Sequence, residues 1–167
     1  MAYMDNSGLY IKIGPEVAVP EAAGEYNNLG PLRMVEFVIP DLTVLTTSDA
    51  ILKGADNFFF PTGVRIEKVT IVGDVAATSG GSATLIMGLI QSDRTTLIDA
   101  TGVVNAVAVA TLTAGSEQVY VKGTSGAGTR VGTGAAATTL PAYITAKAGV
   151  AVFTAGAVRV RVEFYRP

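Results

Sequence analysis

One stretch decides the fold of this chain: Val158-Arg159-Val160-Arg161-Val162-Glu163-Phe164-Tyr165-Arg166. Apolar and polar side chains alternate along it with a period of two. Because successive side chains of a β-strand point to opposite faces, the three valines and Phe164 share one face. The other face carries Arg159, Arg161, Glu163 and Tyr165. The pattern predicts a half-buried β-strand.

Similar alternation recurs along most of the sequence, interrupted by turns that contain glycine or proline. The predicted strands are Leu9–Ile13, Leu32–Ile39, Leu42–Thr47, Val64–Val72, Ala83–Gln91, Thr95–Ile98, Val103–Ala110, Gln118–Lys122 and Leu140–Lys147. A short helix through the alanines is the alternative for Val103–Ala110. Short strands at intervals of about 8 to 12 residues, separated by turn signals, predict an all-β fold, an antiparallel β-sandwich or barrel.

Three local patterns add detail to this prediction. In Leu32–Ile39 both the odd-numbered and the even-numbered positions are largely apolar, which predicts a strand covered on both faces. The stretch Ser48–Asn57 is compatible with one helical turn capped by Ser48. In Val64–Val72 the apolar parity switches near Glu67-Lys68, and such a switch predicts a β-bulge or a strand that changes sheets.

The three consecutive aromatics Phe58-Phe59-Phe60 precede the turn Pro61-Thr62-Gly63. Consecutive strand residues cannot all face one core. The three rings either all fill local core and loop pockets, or at least one of them anchors an adjoining loop or subunit.

Two segments differ from the strand pattern. Residues 1–30 are rich in proline, glycine and glutamate, and we interpret them as an extended N-terminal arm before a β-sandwich domain at residues 31–167. The arm either packs on a neighbouring subunit or is a poorly ordered terminus. The glycine-rich loop Gly123–Thr139 offers little to bury, and we expect it to adapt to neighbouring subunits.

The composition disfavours an enzyme. The 167 residues include no histidine and no cysteine, so the commonest general base, the commonest zinc ligands and the thiol nucleophile are missing. Charged residues make up 16% of the chain, against about 25% in ordinary soluble domains, and the mean hydropathy is +0.43. Either small residues inflate this value on a threonine-rich surface, or other subunits cover much of the surface.

The charge and the apolar runs also exclude several partners. A net charge of −2 disfavours binding to nucleic acid, which requires a basic patch. The apolar stretches Val103–Thr113 and Ala148–Val162 are shorter or more interrupted than the roughly 20 apolar residues of a membrane-spanning helix. The first residues lack the features of a signal peptide, so we expect an intracellular origin and no membrane partner.

The motifs with possible chemistry are weak. Residues 132–137 match the pattern G-x-G-x-x-A, but no helix pattern comes after them and no acidic residue lies about 20 positions on, as a dinucleotide site requires. Asp93, Asp99 and Glu117 match no calcium loop, and we interpret them as solvated turn acids. We therefore predict no catalytic residues, no metal site and no cofactor.

The paired arginines of the closing strand allow two interpretations. Arg159 and Arg161 lie two residues apart and therefore on one face of the strand. They form either a like-charged exposed face, paired at best with Glu163 or with a facing carboxylate, or an inter-subunit salt link.

Three stretches carry a resemblance to a known class of proteins. They are Asp56–Val69, Ser82–Leu89 and Phe153–Val160, and their Ala/Gly/Thr/Val texture resembles small β-rich virion structural proteins of tailed bacteriophages, of the capsid decoration or cement type. The resemblance implies a jelly-roll-like subunit, often a homotrimer, that binds the outer capsid lattice. It transfers no functional residues.

The patterns predict a non-enzymatic β-rich building block, and the resemblance implies a structural protein of a phage virion, assembled in the host cytoplasm. Its expected partners are further copies of itself, as a trimer, and the major capsid protein or other virion proteins. The alternative is a host-surface or glycan-binding module of a head or tail fibre, for which Tyr3, Tyr10, Tyr26, Tyr120 and Tyr143 offer stacking rings. A carboxylate-based hydrolase is a third and less favoured hypothesis.

Overall fold

A computed structural model of the chain describes residues 32–52, 58–133, 138 and 140–166, together with the backbone of residues 2–4 and 10–12. These residues form ten β-strands and two short 3-10 helices. The strands are β1 (Ala2–Met4), β2 (Tyr10–Lys12), β3 (Leu32–Ile39), β4 (Ala50–Ile51), β5 (Arg65–Ser79), β6 (Thr84–Gln91), β7 (Leu97–Ala108), β8 (Glu117–Tyr120), β9 (Ala142–Gly149) and β10 (Phe153–Tyr165). The 3-10 helices are Leu42–Val44 and Val109–Thr111.

Eight of these strands build two four-stranded antiparallel sheets. The first sheet has the order β3-β10-β5-β8 and the second the order β4-β9-β6-β7, while β1 and β2 pair with each other. The pairs β3/β10, β4/β9, β5/β8 and β6/β7 are nested within one another, as if one long hairpin had been rolled into a sandwich. This is the strand order of a jelly roll, and it confirms the predicted all-β sandwich.

The alternating strand at the end of the sequence, β10, lies in the interior of the first sheet. β10 pairs with β3 on one side and with β5 on the other. Its apolar face, formed by Val158, Val160, Val162 and Phe164, is fully buried. The second sheet supplies the opposite wall of the core, mainly through Leu85, Met87, Leu89 and Ile144. The predicted half-buried strand is confirmed.

The predicted face switch in β5 is a β-bulge. Lys68 pairs with Glu163 and Ile66 pairs with Phe164, so Glu67 is one extra residue opposite β10. One inserted residue reverses the parity of the residues beyond it. Ile66 before the bulge and Val69 after it are therefore both buried.

The connection from β3 to β5 differs from the sequence predictions in two places. Leu42–Thr47 begins as a 3-10 helix rather than a strand, because the carboxylate of Asp41 accepts a hydrogen bond from the backbone N–H of Thr43 at 2.8 Å. The predicted helical turn after Ser48 is also wrong, since Ala50 and Ile51 pair with β9. Residues 53–57 lie outside the described part of the chain.

The prediction that Leu32–Ile39 is covered on both faces is wrong as well. The strand forms with the predicted bounds, but it is an edge strand, and Val38 on its outer face is 49% exposed. Nothing in the described chain covers that face of Val38.

The remaining strand predictions hold with shifted ends. Part of Thr95–Ile98 and most of Val103–Ala110 belong to one strand, β7, which pairs antiparallel with β6. β9 begins directly after Pro141, at Ala142. Leu9–Ile13 contains β2, whereas the rest of the proposed arm at residues 1–30, apart from β1, lies outside the described residues.

Candidate interaction surfaces

The three acids weighed for metal or carboxylate chemistry do not form a site. In the described residues no group of three potential metal-ligating side chains comes together. Asp93 lies in the β6–β7 turn, Asp99 on β7 and Glu117 on β8. Asp93 and Asp99 are already engaged by hydrogen bonds, so each has a structural task.

Asp93 closes the turn between β6 and β7. Its Oδ1 accepts from the backbone N–H groups of Thr95 and Thr96, both at 2.9 Å, and its Oδ2 accepts from the Thr96 hydroxyl at 2.5 Å. These hydrogen bonds, the Thr96 hydroxyl first, lower the pKa of Asp93 to about 2. The turn orients Arg94, whose backbone is left-handed at φ 61°.

Asp99 ties a distant loop to β7. Its Oδ2 accepts from the hydroxyl of Thr129 at 2.5 Å and from Nε of Arg130 at 3.0 Å. Its Oδ1 accepts from the backbone N–H of Thr101 at 3.0 Å. Partial burial acts to raise the pKa of Asp99, but the hydrogen bonds from Thr129 and Thr101 and the charge of Arg130 outweigh burial and hold the pKa below its ordinary value.

The loop held by Asp99 is residues 121–133, which we call the strap. Its backbone N–H groups at Gly128, Thr129 and Arg130 donate to carbonyl oxygens of β7 at 3.0–3.2 Å. The N–H of Gly132 donates to the carbonyl of Ile66 on β5, so the strap runs from one sheet to the other. Residues 128–132 of this glycine-rich loop are thus bonded to both sheets of the same chain, and its adaptation to neighbouring subunits stays a prediction.

The close approach of the strap explains one of its glycines. A Cβ on Gly128 would lie 2.4 Å from the carbonyl oxygen of Gly102 on β7. Only a residue without a side chain lets the two backbones come this close. Glycine is therefore required at position 128 so that the strap can pack against β7.

The outer face of the first sheet carries three ion pairs within the chain. Arg161 pairs with Glu36 at 2.6 Å, Arg159 with Asp74 at 2.7 Å, and Lys68 with Glu163 at 2.6 Å. Arg159 and Arg161 each face a carboxylate on a neighbouring strand, which confirms the facing-carboxylate pairing and corrects the interpretation of a like-charged face. The inter-subunit salt link stays a prediction.

An apolar groove lies where the edges of the two sheets meet, beside β3 and β4. Its volume is about 230 Å³. It is lined by Val38, Ile39, Pro40, Asp41, Val44, Leu45, Thr46, Ala50, Ile51, Leu52 and Ala146. Val38 and Val44, on its rim, are 49% and 57% exposed. The groove is open, and its wall is apolar.

A second apolar surface lies on the outer face of the second sheet, and we call it the aromatic row. Leu97, Ile90 and Tyr143 stand side by side across β7, β6 and β9. Phe59 meets Tyr143 edge-on at 6.3 Å between ring centroids. The guanidinium of Arg94 lies 5.0 Å from the Tyr143 ring centroid, a cation–π contact.

The three rings of Phe58-Phe59-Phe60 divide between core and surface. Phe60 is fully buried, and Phe58 packs edge-on against Phe60 at 5.3 Å. Phe59 is 50% exposed. The interpretation that all three rings fill local pockets is therefore wrong for Phe59, and the anchoring of a loop or subunit by Phe59 stays a prediction.

The tyrosines proposed for sugar stacking are not equivalent. Tyr120 is buried, and burial raises the pKa of its hydroxyl, so its ring is not available to a ligand. Tyr143 is partly exposed in the aromatic row. The side chains of Tyr3, Tyr10 and Tyr26 lie outside the described residues.

Sequence reasoning missed the groove and the strap. The groove is built from residues that lie far apart along the chain, such as Val38 and Ala146, and no local pattern brings them together. For the strap the sequence offered one hint, because Thr129 and Arg130 carry hydrogen-bond donors that a carboxylate accepts, but no pattern identified Asp99 as that carboxylate.

In the described part of the chain, no helix has the length and apolar character needed to cross a bilayer.

Comparison with known proteins gives one similar structure. No family model matches the chain, and no curated protein matches it. The chain is similar to a protein in the solved structure of the cyanophage Pam1 capsid asymmetric unit, with 19% sequence identity and a TM-score of 0.49. That similarity covers 90% of this chain and 96% of the other.

Proposed function

We propose that this protein is a non-enzymatic structural component of a phage virion, of the capsid decoration or cement type. The observation that carries the proposal is the open apolar groove beside the edge strand β3. Val38 and Val44 each leave about half of their side chain in water there. Apolar patches of this kind typically mark surfaces that another protein covers.

The distribution of charge supports the same role. Only 16% of the residues are charged, and the ion pairs of the first sheet join residues of the same chain. Large apolar side chains are exposed on both sheets and on the loops. They are Leu32, Val38, Val44, Phe59, Val75, Leu97, Val119, Val121, Leu140, Val150 and Val152. Association through this protein is therefore expected to be driven by apolar contacts.

The mechanism of such a protein is mass action. A protein that binds the assembled shell but not its dissociated subunits stabilises the shell by RT ln(1 + [L]/Kd) at each occupied site. The proposed partners are the major capsid protein or another virion protein, and sister copies in a closed homotrimer. In this proposal the arm at residues 1–30 contacts a neighbouring subunit, and the protein acts in the virion, after assembly in the host cytoplasm.

The experiment measures how well the protein and its variants bind to capsid shells that lack it. These shells are prepared from the phage whose genome carries the gene. In the test variants Val38→Lys and Val44→Lys a charge enters the groove rim, and we expect shell occupancy at a fixed concentration to fall at least tenfold. Val150→Lys is the matched control, because Val150 is 84% exposed and does not line the groove. Equal binding by all three variants and the unmodified protein would exclude the groove as the binding surface.

A glycan-binding module of a head or tail fibre is the second candidate, and the aromatic row favours it. Sugar rings stack on exposed aromatic faces, and Phe59 and Tyr143 present two adjacent rings on one sheet. A glycan array tests this candidate with the unmodified protein, Phe59→Ala and the control Val119→Ala, which changes the other sheet. Binding lost only in Phe59→Ala supports it, and no binding by the unmodified protein excludes it.

A further inference from the structure

The strap covers the edge strand at one side of the sandwich. β7 ends the second sheet on that side, and its outward backbone groups bond to strap residues. The N–H of Asn105 donates to the carbonyl of Gly126 at 2.8 Å, and the N–H of Gly128 donates to the carbonyl of Val103 at 3.2 Å. The strap is therefore a short cover paired to the β7 edge.

A bulge in β7 explains why the cover binds at this point. Met87 pairs with Val104 and Leu89 pairs with Asp99, so residues 100–103 have no matching partners on β6. The carbonyls of Thr101 and Gly102 accept instead from Thr129 and Arg130 of the strap, at 3.1 and 3.0 Å. The strap thus supplies a hydrogen-bond donor to each of these two carbonyls.

The strap has little apolar anchoring of its own. Val131 is its one fully buried large side chain among the described residues, and Ala127 packs against the core only in part. Segments with few buried apolar contacts open locally before the rest of a fold. Besides its backbone hydrogen bonds and Val131, the strap is held by the side-chain contacts of Asp99 with Thr129 and Arg130.

We propose that the strap is a releasable cover over the edge of β7 and that Asp99 is the latch that keeps it closed. When the latch is removed, the strap opens more often while both sheets stay folded. The edge that it leaves behind carries unpaired carbonyls, and such an edge is a template for pairing with another strand. Release of the strap thus converts a closed side of the sandwich into a pairing surface.

Acid is one way to release the latch. The charged group that the described structure places against Asp99 is Arg130 of the strap, while β6 presents Gly88 beside the Asp99 backbone. Because the pKa of Asp99 is lowered in the folded protein, its contribution to strap closure is complete above the ordinary value of 3.8. That contribution is lost as the pH falls through the folded value.

Hydrogen exchange of the full chain at neutral pH tests the proposal. In Asp99→Asn we expect the amides of Gly128, Thr129 and Arg130 to exchange at least tenfold faster than in the unmodified protein, while the amides of β10 keep their rate. Asp93→Asn is the matched control, because Asp93 accepts a similar set of hydrogen bonds but holds only its own turn. It should leave the strap amides unchanged.

Two results would overturn the latch. One is an Asp99→Asn strap that exchanges at the unmodified rate. The other is an equal acceleration in strap and β10, which would mean that Asp99 supports the whole fold. If Asp99→Asn does not fold, the double variant Thr129→Ala/Arg130→Gln removes the same contacts from the strap side, and the same two readouts apply.

Discussion

Arg161 and Glu36 stand directly opposite each other on the neighbouring strands β10 and β3. Nε of Arg161 donates to Oε2 of Glu36 across 2.6 Å. The two side chains are 36% and 24% exposed, so the pair is open to water on one side. The outer face of the first sheet thus pairs Arg159, Arg161 and Lys68 with carboxylates of the same chain.

The first prediction concerns the energy of that pair. Because water screens it, we expect a double-mutant cycle with Arg161→Gln and Glu36→Gln to give a coupling of about 0.2–1 kcal/mol in the free energy of unfolding. Urea unfolding of the four proteins measures it. The coupling should shrink when sodium chloride is raised, since added salt screens exposed charges. A coupling above about 2 kcal/mol that ignores salt would contradict a screened surface pair.

The second prediction compares two adjacent phenylalanines. Phe60 is fully buried against Phe58 and Phe164, so Phe60→Ala should lower the free energy of unfolding by about 3–5 kcal/mol. Phe59→Ala is the control, because Phe59 is half exposed, and it should cost about 1 kcal/mol or less. Chemical denaturation measures both. Similar losses in the two variants would refute the inward and outward assignment of the rings.

The third prediction tests the close approach of the strap. Gly128→Ala places a Cβ against the backbone of Gly102, which cannot give way as a side chain can, and we expect a loss of about 1–3 kcal/mol. Gly80→Ala is the matched control, because a Cβ there meets nothing within 4 Å and the backbone is not left-handed. Thermal unfolding of both variants measures these two losses of stability. A Gly128→Ala protein as stable as Gly80→Ala would mean that the strap lies farther from β7.

The fourth prediction is a pH dependence at the β6–β7 turn. The pKa of Asp93 is lowered from 3.8 to about 2 in the folded protein, so its hydrogen bonds contribute fully to stability above pH 3.8. That contribution disappears as the pH falls towards 2. An NMR titration of the Asp93 carboxyl carbon should show a midpoint near 2 that disappears in Asp93→Asn. A midpoint near 3.8 would show that the threonine hydrogen bonds do not form in solution.

The sequence predicted the strands correctly where apolar and polar side chains alternate without interruption. Val158 to Phe164 alternate without interruption, and β10 is buried as the alternation requires. The parity switch at Glu67 predicted a real bulge, because one inserted residue is visible as a change of face. Local patterns of this kind survive folding because the sheet imposes the same period of two on every strand.

The prediction failed where a side-chain cap or a tertiary position overrides the local pattern. Leu42 belongs to an apolar run, but the carboxylate of Asp41 bends the backbone into a 3-10 helix. Leu32–Ile39 is apolar on both faces yet occupies an edge, because the strand order of the jelly roll is set by long-range pairing. For the same reason the groove and the contact of Asp99 with the strap had no local signal in the sequence.

The central claim is that this jelly roll is a component of a virus particle, its apolar surface covered by other virion proteins. Quantitative mass spectrometry of particles purified from the phage that carries the gene tests that claim most directly. We expect the chain to be present in many copies per particle, in a fixed ratio to the major capsid protein through successive density gradients. Its absence from purified particles, while it accumulates in infected cells, would contradict the account.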